Sequence, residues 1–69
     1  MNRTPVTSTN IASIGYDPVT QTLEVSFHSG GGYQYSNVPE TIYTDLMSAR
    51  SKGRYFHIHI KHSYPYRRI

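Results

Sequence analysis

The chain has no cysteine, so neither a disulfide nor a cysteine-ligated zinc site can staple it. Long apolar runs are missing as well. No window approaches the roughly 20 apolar residues that cross a bilayer as a helix, and Met1 to Asn10 is polar and lacks an apolar core segment. The expectation is a soluble cytoplasmic protein with no membrane partner. Carboxylates are scarce: Asp17, Glu24, Glu40 and Asp45 are the four, each standing alone, and none occurs between Arg50 and Ile69. No carboxylate pair and no nucleophile–His–acid grouping can be nominated from that pattern, so catalysis is not expected.

What is present is cationic. Six of the seven Lys/Arg residues fall between Arg50 and Ile69, with three Tyr and three His threaded among them. Arg50, Lys52, Arg54, Lys61, Arg67 and Arg68 form a basic third on a chain whose other part sets Arg3 against all the carboxylates. Clustered guanidinium and ammonium groups with interleaved aromatics suit phosphates and bases; the competing reading is a solvated basic tail. The formal charge is +3, and protonating all four His would make it +7, so anion binding is expected to strengthen below neutral pH if those His line the site. The 69 residues make one domain, and a chain of this size buries only about 60% of the surface its unfolded form exposes. Homo-oligomerisation is therefore the expected source of extra buried area.

Residues 1–9 are rich in Ser, Thr and Asn and read as a loosely held start. A first short strand carries Ile11, Ile14 and Tyr16 and ends at Asp17-Pro18, a turn-initiating pair. From Thr22 to His28 the chain alternates, with Leu23, Val25 and Phe27 on one face and Glu24, Ser26 and His28 on the other, the period of a half-buried strand. Ser29-Gly30-Gly31-Gly32 breaks the pattern and Tyr33-Gln34-Tyr35-Ser36 resumes it, which predicts a hairpin whose glycines supply positive φ. The glycine run lacks the Lys-Ser/Thr ending of a phosphate loop.

After Val38, Pro39 stands where a helix would begin, and Ile42, Tyr43, Leu46, Met47 and Ala49 fall at helical spacing. Gly53 can end one element or sharpen the bend before the next. The following stretch has two readings. Phe56, Ile58 and Ile60 alternate with His57, His59 and Lys61 as in a strand, whereas a helix would put Phe56, Ile60 and Tyr64 in one row and Arg50, Arg54, His57 and Lys61 in another. Pro65 closes the element, and residues 67–69 read as a basic tail.

These landmarks have a familiar order: Ser8, Ile14-Gly15-Tyr16-Asp17, Tyr33-x-Tyr35, Val38-Pro39, Ser51-x-Gly53-x-Tyr55-Phe56, Ile60 and Tyr64. The pattern resembles the KTSC domain family over about residues 6–66, nearly the whole chain. That family is named for its occurrence at the C-terminus of some lysyl-tRNA synthetases, and it also occurs as short free-standing bacterial and phage proteins. The resemblance implies a single domain over residues 10–66 and favours the helical reading of about residues 52–62. Its synthetase context implies RNA as a partner. Where the family commonly reads Asn and Arg this chain has His57 and Lys61, and Lys lacks the planar two-pronged fork of Arg, so an identical ligand geometry is not implied.

The expected fold is α+β: a small three-stranded antiparallel sheet followed by two helices packed on one face. The expected function is non-enzymatic binding of a nucleotide or nucleic acid phosphate ligand, with RNA foremost and no cofactor. Arg50, Arg54 and Lys61 are the expected phosphate contacts. Ser51 and Lys52 begin the second helix and add backbone donors, while Tyr55, flanked by Arg54 and His57, is a further ligand candidate whose alternative is a core anchor beside Phe56. Tyr33 and Tyr35 either stack on bases or pack across strands beneath a helix. His57, His59 and His62 read as a protonatable rim in preference to a metal site, because no carboxylate stands nearby to complete the shell. Two other classes remain. One is a phage-type homo-oligomeric sponge for cyclic nucleotide signals, with Ile58 at a shared interface; the other is a structural interaction protein with no ligand.

Overall fold

The computed structural model describes residues 3–69; Met1 and Asn2, part of the stretch expected to be loosely held, lie outside the described residues. Five strands, β1 (Arg3–Pro5), β2 (Ile11–Asp17), β3 (Thr22–Phe27), β4 (Gly32–Tyr35) and β5 (Tyr66–Arg68), form one sheet in the order β1-β2-β3-β4-β5. Every neighbouring pair is antiparallel. Two helices, α1 (Glu40–Ser48) and α2 (Lys52–His59), lie between β4 and β5 in sequence.

The α+β class holds, but the expected three strands become five. The two additional strands are the edges, three residues each and exposed throughout. Neither carries an apolar alternation. Pro5 is tolerated in β1 because an edge strand needs only one hydrogen-bonding side. The basic tail is drawn into the sheet by backbone pairing: Ser36 N–H donates to the Pro65 carbonyl at 2.8 Å and Ile69 N–H to the Gly32 carbonyl at 2.9 Å. Short, charged edges are also poor templates for pairing with another chain.

The β3–β4 hairpin turns through Gly30 (φ 101) and Gly31 (φ 86), conformations that L side chains rarely adopt. One sheet face carries Ile14, Leu23, Val25 and Tyr35, all buried. Leu46 from α1 and Phe56 and Ile60 from α2 close over them, with Ile11 and Val38 completing the core. Aromatic rings lock the helices down: Tyr16 stacks on Tyr43 at 4.8 Å, and Phe56 meets Phe27 at 5.5 Å and Tyr35 at 5.4 Å, edge to face.

The opposite face is polar, as one solvated side of an antiparallel sheet should be. One row of positions on it spans all five strands. The register aligns Arg3, Gly15, Glu24, Gln34 and Arg67 across the five strands. Gly15 offers no side chain, so Arg3 reaches over β2 to Glu24 at 3.0 Å. Gln34 Nε2 donates to the same carboxylate at 2.9 Å, and the Arg67 guanidinium donates to Gln34 Oε1 at 3.0 and 3.2 Å. Glu24, only 7% exposed, is thus satisfied from both sides of β3.

The segment after Gly53 is helical, and the competing alternation is explained by Ile58, which is 57% exposed and faces away from the core. Gly53 is not a break. It is the second residue of α2, and the first turn starts at Ser51, whose Oγ accepts from Arg54 N–H at 3.3 Å.

Candidate functional site

The start of α2 faces the loop between β1 and β2. A Cβ built on Gly53 would lie 3.5 Å from Asn10 Nδ2 and 3.8 Å from Ser8 Oγ, so helix and loop stand one methyl's contact distance apart here. The loop is held in turn. Ser8 Oγ accepts from Asn10 N–H at 3.4 Å and Ile11 N–H at 3.3 Å. His28 N–H donates to the Asn10 carbonyl at 2.9 Å, and His28 Nε2 lies 3.1 Å from the Ser8 carbonyl. A carbonyl only accepts, so that ring nitrogen carries the proton.

Between helix and loop lies a concavity of about 700 Å³, walled by Thr7–Asn10 on one side and by Arg50, Ser51, Lys52, Arg54 and His57 on the other. Five of the expected site residues therefore meet in one place. Lys61 is in the adjoining concavity, about 330 Å³, which also takes in His57, Gly53, Asn10 and Thr9. No Asp or Glu lines either one. The carboxylates stand elsewhere: Glu24 on the polar face of the sheet, Asp17 at the end of β2, Glu40 and Asp45 on α1. The one ion pair among the described residues is Arg3–Glu24. Lys52 is partly engaged, its Nζ donating to the Ala49 carbonyl at 3.2 Å behind α1.

The tyrosines separate from this group. Tyr55 lies beyond Arg54 in a shallower concavity of about 300 Å³ shared with Ile58 and His59. Its ring rests on His59 at 4.4 Å. Burial, with Asp45 and Tyr64 nearby, raises its hydroxyl pKa above the ordinary value. Tyr35 is 3% exposed, with its ring against Phe56 and Tyr66, so it has no free face for a base. Burial, then Tyr66 and Tyr33, push its pKa up to about 12. Tyr33 is half-buried between Phe27 and Tyr66. His57 and His62 approach with ring centroids 6.1 Å apart, and among the described residues no three His, Asp or Glu gather as metal ligands. No helix of the described residues is long and apolar enough to cross a membrane.

Sequence reasoning missed the second wall. Thr7, Thr9 and Asn10 carry no charge, and they reach α2 only through contacts some forty residues apart. The one local hint was Gly53, a helix-weakening residue inside a helix, whose bare backbone faces the Asn10 and Ser8 side chains.

A KTSC domain model matches residues 7–64. The chain belongs to the KTSC domain family. Both walls of the cationic concavity lie inside the matched stretch, while strands β1 and β5 lie outside it. This KTSC chain is similar to a lysine–tRNA ligase of Nostoc sp., 44% identical over 59 residues, 86% of this chain and 10% of the ligase. It is also similar to an uncharacterized protein of Stutzerimonas stutzeri, 45% identical over 56 residues, 81% of this chain and 79% of that protein. The crystal structure of a KTSC domain protein from Yersinia pestis superimposes with a TM-score of 0.97 at 48% identity, covering 99% of this chain and 96% of the other. The chain thus spans a tenth of the ligase but most of the free-standing relatives.

Proposed function

We propose that this KTSC domain is a non-enzymatic RNA-binding module that holds phosphates in the cationic concavity at the start of α2. One observation carries the reading: Arg50, Lys52, Arg54 and His57 converge on a single concavity with no carboxylate in its walls. Arg50 and Arg54 are exposed, and each guanidinium can take two phosphate oxygens at once. The first-turn N–H groups of α2 add a dipole of the right sign, and the Thr and Ser hydroxyls opposite supply neutral donors. Kinship to a segment of a ligase whose substrate is a tRNA is consistent with RNA as the partner.

A second reading follows from Ile58. An exposed isoleucine that shares a concavity with Arg50, Arg54 and Tyr55 suits an interface between copies enclosing a small cyclic nucleotide. Fluorescence anisotropy against single-stranded RNA, duplex RNA and cyclic dinucleotides, with the oligomeric mass measured in parallel, separates the two. Binding of RNA that weakens steeply with salt supports the first. Tight, salt-insensitive binding of a cyclic dinucleotide by an oligomer replaces it with the second, and binding of nothing in the panel overturns both.

A further inference from the structure

Beside Lys61 a third concavity adjoins the second, about 320 Å³ and different in character from the first two. Its walls are rings: Phe27, Tyr33, Phe56 and Tyr66, with Tyr35 at the base. It joins the second concavity through Phe27, Ser29, Phe56 and Lys61, as the second joins the first through Thr9, Asn10, Gly53 and His57. The three concavities therefore lie in sequence, from Arg50 and Arg54, past His57 and Lys61, to an aromatic end. No carboxylate lines any of them.

We propose that this aromatic end receives one unpaired nucleobase, making the domain a reader of single-stranded RNA. The inference rests on the reading of the cationic concavity as an RNA phosphate site. Its volume is at the small end for ligand pockets, roughly 300–1,000 Å³. Lys61 and His62 stand at its rim, where the phosphate that precedes or follows the base would pass. Tyr66 is 59% exposed although its ring leans on Tyr33 at 5.6 Å and Tyr35 at 5.5 Å; it is braced on one side and open on the other. Gly30 is part of its lining and adds no side chain to it. Any base has a π-face, which makes such a platform tolerant of sequence. Bases in a duplex are paired and stacked already and cannot be offered to it.

The test uses the full chain and an RNA oligonucleotide with one 2-aminopurine, in wild type, Tyr66→Ala and Tyr66→Phe. Stacking should quench the 2-aminopurine emission in wild type and Tyr66→Phe. Tyr66→Ala should lose about 5- to 150-fold in affinity, the range for one base on one ring, while the dependence of affinity on salt keeps its slope because the phosphate contacts persist. Far-UV circular dichroism checks that the variant folds, and the wild-type quenching stands independently of it. If RNA binds to wild type with a steep salt dependence but without quenching, and equally well as duplex, the base subsite is refuted while the phosphate site survives. If RNA does not bind to wild type at all, both fall together.

Discussion

Gly53→Ala is a sharp test of how the site is built, because two effects of opposite sign compete there. Glycine in a helix interior costs up to about 1 kcal/mol relative to alanine, and that penalty disappears on substitution. Against it stands the crowding by the Thr7–Asn10 loop. The new methyl would lie 3.5 Å from Asn10 Nδ2, 3.8 Å from Ser8 Oγ and 3.9 Å from Asn10 Cβ, all ordinary van der Waals separations. Gly53 also has no positive φ to forbid a side chain. Crowding therefore loses, and Gly53→Ala should stabilise by about 0.5 kcal/mol, less than the full interior value because the residue is in the first turn. For a domain of this size, 1 kcal/mol is about 4–8 °C in melting temperature. Thermal denaturation followed by circular dichroism reads it directly. Gly53→Leu, in contrast, must displace the loop or fill the concavity, and should lower both melting temperature and anion affinity. A melting temperature for Gly53→Ala below wild type would refute the reasoning, since it would mean that loop and helix are closer than the geometry allows.

Three further outcomes follow from other parts of the fold. Glu24→Ala removes the acceptor shared by Arg3 and Gln34 and should cost about 1–3 kcal/mol in urea denaturation, with Glu24→Gln intermediate; no loss would mean that the polar row does not hold the sheet together. Tyr16→Phe deletes the hydroxyl that donates to the Val38 carbonyl while keeping the stack on Tyr43, and should cost about 1–3 kcal/mol by leaving that carbonyl without its partner. Tyr35 holds its proton more tightly when folded, with a pKa raised from 10.0 to about 12 by burial. Its contribution is therefore complete below pH 10 and is lost as pH rises from 10 to 12, by at most about 3 kcal/mol. Stability measured across that window should fall for wild type and fall less for Tyr35→Phe.

The elements that sequence reasoning found are those whose signal is local. Leu23, Val25 and Phe27 alternate within six residues, and Gly30 and Gly31 mark the turn that follows. The edge strands could not be read this way. Arg3-Thr4-Pro5 and Tyr66-Arg67-Arg68 have no pattern of their own and become strands only because β2 and β4 have a free side. Arg67 illustrates the difference: in sequence it belongs to a charged tail, and in the fold it is the last member of a row that begins at Arg3. The cationic side of the site was legible because charge segregation survives folding, and Ser51 and Lys52 marked the helix start. The Thr7–Asn10 wall and the aromatic end were not, for they are assembled from uncharged residues distant in the chain. Tyr35 shows the limit of the alternation argument, since it puts Tyr33 and Tyr35 on one face without saying that a helix covers that face.

The most direct test of the account is the salt dependence of single-stranded RNA affinity in wild type and in Arg50→Ala/Arg54→Ala. With Arg50, Arg54 and Lys61 each neutralising one phosphate, log K should fall against log salt with a slope of about −2, and the double variant should retain a slope of only about −0.7. An unchanged slope in the folded double variant would contradict the placement of the phosphate site at the start of α2.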